Sequence, residues 1–162
     1  MLPRAAAAIL VLASLLWVAP AAALMREVPL ATLAAGSDAI VSAHVIARQS
    51  HWLASPHIIV TDVRLRVDEP WSGSLAAGDE LTLEVEGGVA DGIRMWTEHQ
   101  PVFADGEAVV LFLSRSPGWQ VKGLEQGRYS IAGNHVRDWL GRSVPLVTFR
   151  SRVRSMVPVR DR

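Results

Sequence analysis

The chain contains no cysteine. Disulfides, thiolate zinc sites, a cysteine nucleophile and a lipoprotein acyl anchor are therefore excluded. A domain built from this chain must be held together by its own apolar core. Net charge is also lacking, because sixteen Lys+Arg face sixteen Asp+Glu. That balance argues against a strongly basic nucleic-acid binder and against an acidic disordered tail. None of the patterns G-x-S-x-G, H-E-x-x-H, G-x-x-x-x-G-K-S/T or G-x-G-x-x-G occurs, so the readiest enzyme assignments are removed. No internal repeat is found. No ten-residue helical pattern falls between strand candidates, so the crossovers that a parallel sheet needs are missing. What remains is 162 residues, half of them apolar, which suits one globular domain.

The two ends are unusual. Residues 1–23 read as a secretory signal peptide: Arg4 gives the positive start, Ala5–Val18 is apolar apart from Ser14, Pro20 breaks the helix, and Ala21-Ala22-Ala23 satisfies the small-residue cleavage rule. The competing reading is an uncleaved anchor, since the uncharged run Ala5–Met25 is about as long as a membrane span. Cleavage is preferred; it makes Leu24 the mature N-terminus, sends the protein to the periplasm or outside the cell, and leaves no stable membrane insertion. Residues 24–141 then hold nine basic and fifteen acidic side chains, and residues 142–162 hold six arginines against Asp161. The tail either docks on its oppositely charged body or serves as a basic arm for a partner. Docking is preferred, because the tail also carries an apolar stripe.

Along the body, Glu27–Ala35 predicts a short helix with Gly36 behind it. Ala39–His51 and His57–Asp68 alternate at period two and are joined by a Ser50–Pro56 hairpin, and Pro70 is expected to end the second strand. Glu80–Glu86 alternates again and stops at Gly87-Gly88. Val89–Gln100 shows no period and reads as a long loop. Ala108–Leu113 is a continuous apolar run, suited to the most buried strand. Ser116-Pro117-Gly118 leads into Trp119–Leu124, and Arg128–Ala132 and His135–Trp139 flank the hairpin signal Gly133-Asn134. Pro145–Val157 shifts to helical spacing, with Ser143 as a cap and Pro158 as the stop. A strand is also compatible with this segment, but the helix keeps serines out of the core. The expected fold is mainly β: a small antiparallel OB-type barrel of five to seven strands over residues 24–141, a short N-terminal helix, and an arginine-rich C-terminal amphipathic helix and tail over 142–162.

Candidate chemistry is sparse. His44, His51 and His57 fall in or beside the first hairpin, where converging imidazoles would make a zinc or copper site. Solvated loop histidines are the preferred reading, and no cofactor is expected. His99 beside Glu98 sits in the long loop, where functional residues concentrate. Of six tryptophans, Trp17 leaves with the signal. Trp52, Trp71, Trp96, Trp119 and Trp139 lie near predicted loops and strand ends, either covering the core or supplying contacts. Trp96, in mid-loop, is the first candidate for an exposed contact.

Three segments carry a resemblance. Ser37–Val45, Phe103–Leu113 and Gly123–Tyr129 resemble the "ADxIVxGxV", "F-x-x-G-E-x-x-V-L-F-L" and "G-x-x-Q-G-K/R-F/Y" stretches of uncharacterised exported bacterial proteins. Their order is also similar to netrin-like modules and to the inhibitory domain of tissue inhibitors of metalloproteinases (TIMP-like), which are OB-type barrels with a terminal helix. The resemblance covers about residues 37–131. It implies a non-enzymatic exported module that recognises another protein, a protease among the candidates; the contact surface is expected at the Val89–Gln100 loop, the Ser50–Pro56 turn and the mature N-terminus, with Trp52, Trp96, Glu98, His99 and Leu24 as the candidate residues. No nucleic-acid partner is expected, given the balanced charge. The family's zinc-chelating N-terminal cysteine has no counterpart here. Two other readings remain: a metal-dependent or hydrolytic envelope enzyme using the loop histidines His44, His51, His57 or His99, and a structural envelope protein docking through its arginine tail.

Overall fold

A computed structural model describes residues 25–158. The predicted signal peptide, Leu24, Arg160 and Arg162 lie outside the described residues. An extended lead-in precedes helix α1 (Leu30–Gly36). Then follow β1 (Ala39–Leu53), β2 (Ile58–Ser72) and β3 (Glu80–Glu86). A small hairpin, β4 (Gly88–Ala90) and β5 (Ile93–Met95), follows β3. Next come β6 (Ala108–Arg115), β7 (Trp119–Val121) and a 3-10 turn at Leu124–Gly127. The chain closes with β8 (Arg128–Ala132), β9 (His135–Arg137), β10 (Ser143–Pro145) and helix α2 (Leu146–Met156). Among the described residues no helix is long and apolar enough to cross a membrane.

The main sheet is antiparallel, with the order β10-β9-β8-β6-β1-β2-β3 and with β7 branching from β6. The antiparallel, mainly β character matches the expectation, but the sheet is not closed into a barrel. The second edge of β6 is divided. Val109–Leu111 pair with β8, whereas Leu113–Arg115 pair with β7. One branch, β7, turns toward β3 and lies close beside it, but β3 forms a ladder only with β2. The other branch leads away through β8, β9 and β10 and carries the helices.

This fork gives the sheet two apolar faces. Val41, Ala43, Val45, Val63, Leu65 and Leu111 belong to the inner one. Ile40, Val110, Phe112 and Val136 belong to the outer one, under Leu33 of α1 and Phe149 and Val153 of α2. Strand β6 is covered on both sides, which accounts for its unbroken apolar run. Strand β3 shows buried and exposed residues in strict alternation, because only one of its faces is covered.

Several local expectations are corrected. Strand β2 does not end at Pro70. By that point β3 has stopped pairing, at Arg66–Glu80, and the β1–β2 register shifts beside Pro70, so its missing N–H leaves no ladder bond unmade. Helix α1 starts at Leu30 rather than Glu27, and Ser37 closes it by donating its hydroxyl to the Leu33 carbonyl at 2.6 Å. Ser143 does not cap α2. It lies in β10, and Pro145 occupies the N-cap position without a side-chain bond. The segment 89–100 is not a uniform loop, since it contains the β4–β5 hairpin.

Helix α2 is joined to the body by charge as well as by apolar contact. Arg150 and Arg154 both donate to Glu69, at 2.6 and 3.1 Å. Arg142 bridges Asp138 and Glu27, drawing the lead-in against the β9–β10 connection. Tyr129 lies beneath this side, with its ring 4.6 Å from that of Phe149. Burial, reinforced by the charges of Asp138 and Glu27, pushes its hydroxyl pKa from 10 up to about 12. The unfolded chain therefore loses this proton first. The contribution is complete below pH 10 and disappears as pH rises to 12, and its size is about 2–3 kcal/mol. In chemical denaturation at pH 9 and pH 12, wild type should lose that much more stability than Tyr129→Phe. Parallel curves for the two proteins would show that the hydroxyl plays no such part.

Candidate functional site

The β4–β5 hairpin folds over one end of the inner face and encloses a groove of about 420 Å³. Two features of the sequence build it. Asp91 and Gly92 both have positive φ, 50° and 77°, so Asp-Gly makes the tight turn that joins two short strands. Gly88 lets the hairpin approach the sheet. A Cβ there would lie 2.4 Å from both the Ser50 and the Thr61 side-chain oxygens, and φ is +139°. Those two hydroxyls bond to one another at 2.8 Å, and Thr61 donates to the Gly87 carbonyl at 2.6 Å. The groove floor is thus polar at one point and apolar around it, where Val63, Val85 and Phe103 continue the inner core.

The far wall is Gln100–Phe103. It is held by Arg48, which donates to the Phe103 carbonyl at 2.7 Å and makes two bonds to Asp105, at 2.9 and 3.1 Å. The Arg48 hydrogen bond holds the Asp105 carboxyl below the usual carboxylate range, and Asp105 in turn raises Arg48. Behind Phe103, the Arg128 guanidinium stands 5.3 Å from the ring centroid and pairs with Glu107.

Four large apolar side chains on or next to this groove are exposed. Trp96 is 73 % exposed, Val102 71 %, Ile93 53 % and Val89 48 %. Trp96 thus occupies the position its mid-loop sequence suggests, and it lines the groove. The other sequence candidates are dispersed. Glu98 is exposed and has no hydrogen bond or ion pair among the described residues. His99 does not pair with Glu98. Its φ is +63°, and its Nδ1 lies 2.9 Å from Glu125 of the 3-10 turn. Trp52 stacks on His57 at 4.4 Å and 9°, at the β1–β2 tip.

The three hairpin histidines do not converge. His44 Nδ1 lies 2.6 Å from Asp68, His51 lies 3.8 Å from Asp62, and His57 is taken up by Trp52. His51 and Asp62 share a face because the β1–β2 register shifts by one residue between Val45 and Ala47. Among the described residues no group of three or more His, Cys, Asp or Glu is placed to hold a metal. The remaining tryptophans differ in role. Trp71 is buried against Phe149, whereas Trp119 packs on the inner core beneath Arg115.

Sequence reasoning missed Gln126. It is 2 % exposed, accepts from the Val28 N–H at 2.6 Å and donates to the Arg26 carbonyl at 3.1 Å. The next-door residue, Glu125, receives His99 through its side chain and donates its N–H to the His99 carbonyl at 3.0 Å. One turn therefore holds both the N-terminal lead-in and the loop that follows Trp96. Only the Gly-x-x-Gln-Gly phrase signalled it. Compared with protein-family models, with curated proteins and with solved structures, the chain matches none.

Proposed function

We propose that this chain is an exported binding module without catalytic chemistry of its own, and that it recognises another protein through the groove beside Trp96. The observation that carries this reading is that three well-exposed apolar side chains, Trp96, Val102 and Val89, line one cavity, with exposed Ile93 next in sequence to its lining residue Arg94. Exposed apolar side chains scattered singly are ordinary, but a contiguous patch rimming a pocket is typical of an interaction site. A large aromatic at the pocket rim is the usual anchor of such contacts. Export rests on the signal-peptide pattern of residues 1–23.

An OB-type architecture is part of the proposal. Strands β1–β2–β3 and β6–β7 curl until β3 and β7 approach one another across a gap, which suits a five-stranded, partly open barrel. The groove opens at one end of that curl. The likeness to netrin-like and TIMP-like modules adds an exported protein as the partner class, with a protease among the candidates.

The test is affinity capture from the exported fraction, with the wild-type chain and a Trp96→Ala/Val102→Asp variant as paired baits. Both residues are exposed, so the variant should melt within about 2 °C of wild type. Recovery of the wild-type partner should fall at least tenfold with the variant. Equal recovery by both baits would place the contact elsewhere.

A further inference from the structure

Among the described residues, every carboxylate but four takes part in a hydrogen bond or an ion pair. The exceptions are Glu84, Glu86, Asp91 and Glu98. Glu84 stands on the uncovered face of β3, opposite Asp62. The other three lie on segments that supply the groove's lining. Glu86 lines the groove, Asp91 forms the tip of the hairpin beside it, and Glu98 lies between the lining residues Thr97 and Gln100. Arg94 is the unpaired cation on the same rim, while Arg48 is already neutralised by Asp105. The segments that supply the groove's lining therefore carry unmatched negative charge.

The backbone adds a second constraint. Strand β5 pairs only with β4, in a two-stranded sheet, and no other backbone hydrogen bond reaches Ile93–Met95. Isolated two-stranded sheets are marginal in water, and a free edge beside an apolar groove accepts an added strand. In an added strand, alternate side chains face opposite ways. One set would enter the groove beside Trp96 and Val102, and the other would face solvent and the carboxylates.

We infer that the groove binds an extended segment of a partner polypeptide in which lysine or arginine alternates with large apolar side chains, added as a third strand to β5. This rests on the proposed binding function and names its partner class. Unmatched carboxylates at a rim select for cationic partners and speed their encounter, with an effect that weakens as salt rises.

Selection of a displayed random 12-residue peptide library on the full-length chain, with Trp96→Ala/Val102→Asp as counter-selection, tests it. The expected winners alternate basic and large apolar residues. Their affinity should fall at least fivefold between 50 and 500 mM salt, and at least fivefold in Glu86→Gln/Asp91→Asn/Glu98→Gln. N-methylation of backbone amides along one edge of the peptide should abolish binding, whereas the other edge should tolerate it. Winners that need Trp96 but are neutral or acidic would overturn the partner class and leave the groove as a binding surface. Winners insensitive to N-methylation on either edge would overturn strand addition. No Trp96-dependent winner would overturn the inference and count against the groove itself. Concentration-dependent dimers of the wild type, absent from Trp96→Ala in sedimentation, would assign the groove to a second copy instead.

Discussion

Phe112→Ala is expected to lower the free energy of unfolding by about 3–5 kcal/mol. Total stability for a domain of this kind is about 5–15 kcal/mol, so this single change removes a large fraction. Phe112 is 0 % exposed. Its ring lies 5.7 Å from Tyr129 and 6.5 Å from Phe149 in an edge-on arrangement, so it is the point where α2, β8 and β6 meet. Truncation leaves a hole between a sheet and a helix that are each fixed elsewhere, Arg150 and Arg154 holding α2 to Glu69. The site therefore cannot collapse fully, and the cavity adds to the lost transfer energy. Urea denaturation checks it, with Val147→Ala as the companion. Val147 is 62 % exposed on the same helix and should change stability by about 0.5 kcal/mol or less. Similar losses for both variants would mean that α2 packs differently.

Gly127→Ala is the second large effect, and its cause is steric. A Cβ at this position would fall 1.9 Å from the Lys122 carbonyl oxygen and 3.0 Å from its carbon. Those are backbone atoms, so no rotamer change relieves the contact, and the turn must open. The cost is about 3 kcal/mol. The consequences reach further than the turn, because Gln126 and Glu125 hold the lead-in and the His99 loop. Hydrogen exchange at Val28 and Glu125, whose amides are bonded in the wild type, should quicken together in Gly127→Ala. Unchanged protection at both, with wild-type stability, would show that the turn accommodates the methyl group.

The longer strands were legible in the sequence because one face of each meets apolar core and the other meets water. The alternation of Leu81, Leu83 and Val85 with Thr82, Glu84 and Glu86 is a direct record of that. The double coverage of β6 was legible for the same reason, as a run without alternation. The fork was not. Whether Val109–Leu111 and Leu113–Arg115 share one partner or take two is decided by distant segments, and the apolar character of β6 suits either case. Strands β4 and β5 hold three residues each, too few to display a period, although Asp91-Gly92 between them is a hairpin signal. Of the candidate site, the exposure of Trp96 was legible from its place in the middle of a segment without periodicity. Val102 was hidden by its buried neighbours Pro101 and Phe103, and the pairing of His99 with Glu125 joins residues twenty-six positions apart.

The grip of Gln126 on the lead-in has one more consequence. Its amide recognises an N–H and a carbonyl of the main chain, and it asks nothing of the side chains that bear them. Arg26 and Val28 supply only peptide groups to the two bonds. The polar part of this attachment is therefore indifferent to sequence: any extended residue that keeps its amide hydrogen at position 28 can be held in the same way. Proline at position 28 is the one replacement that removes the donor itself.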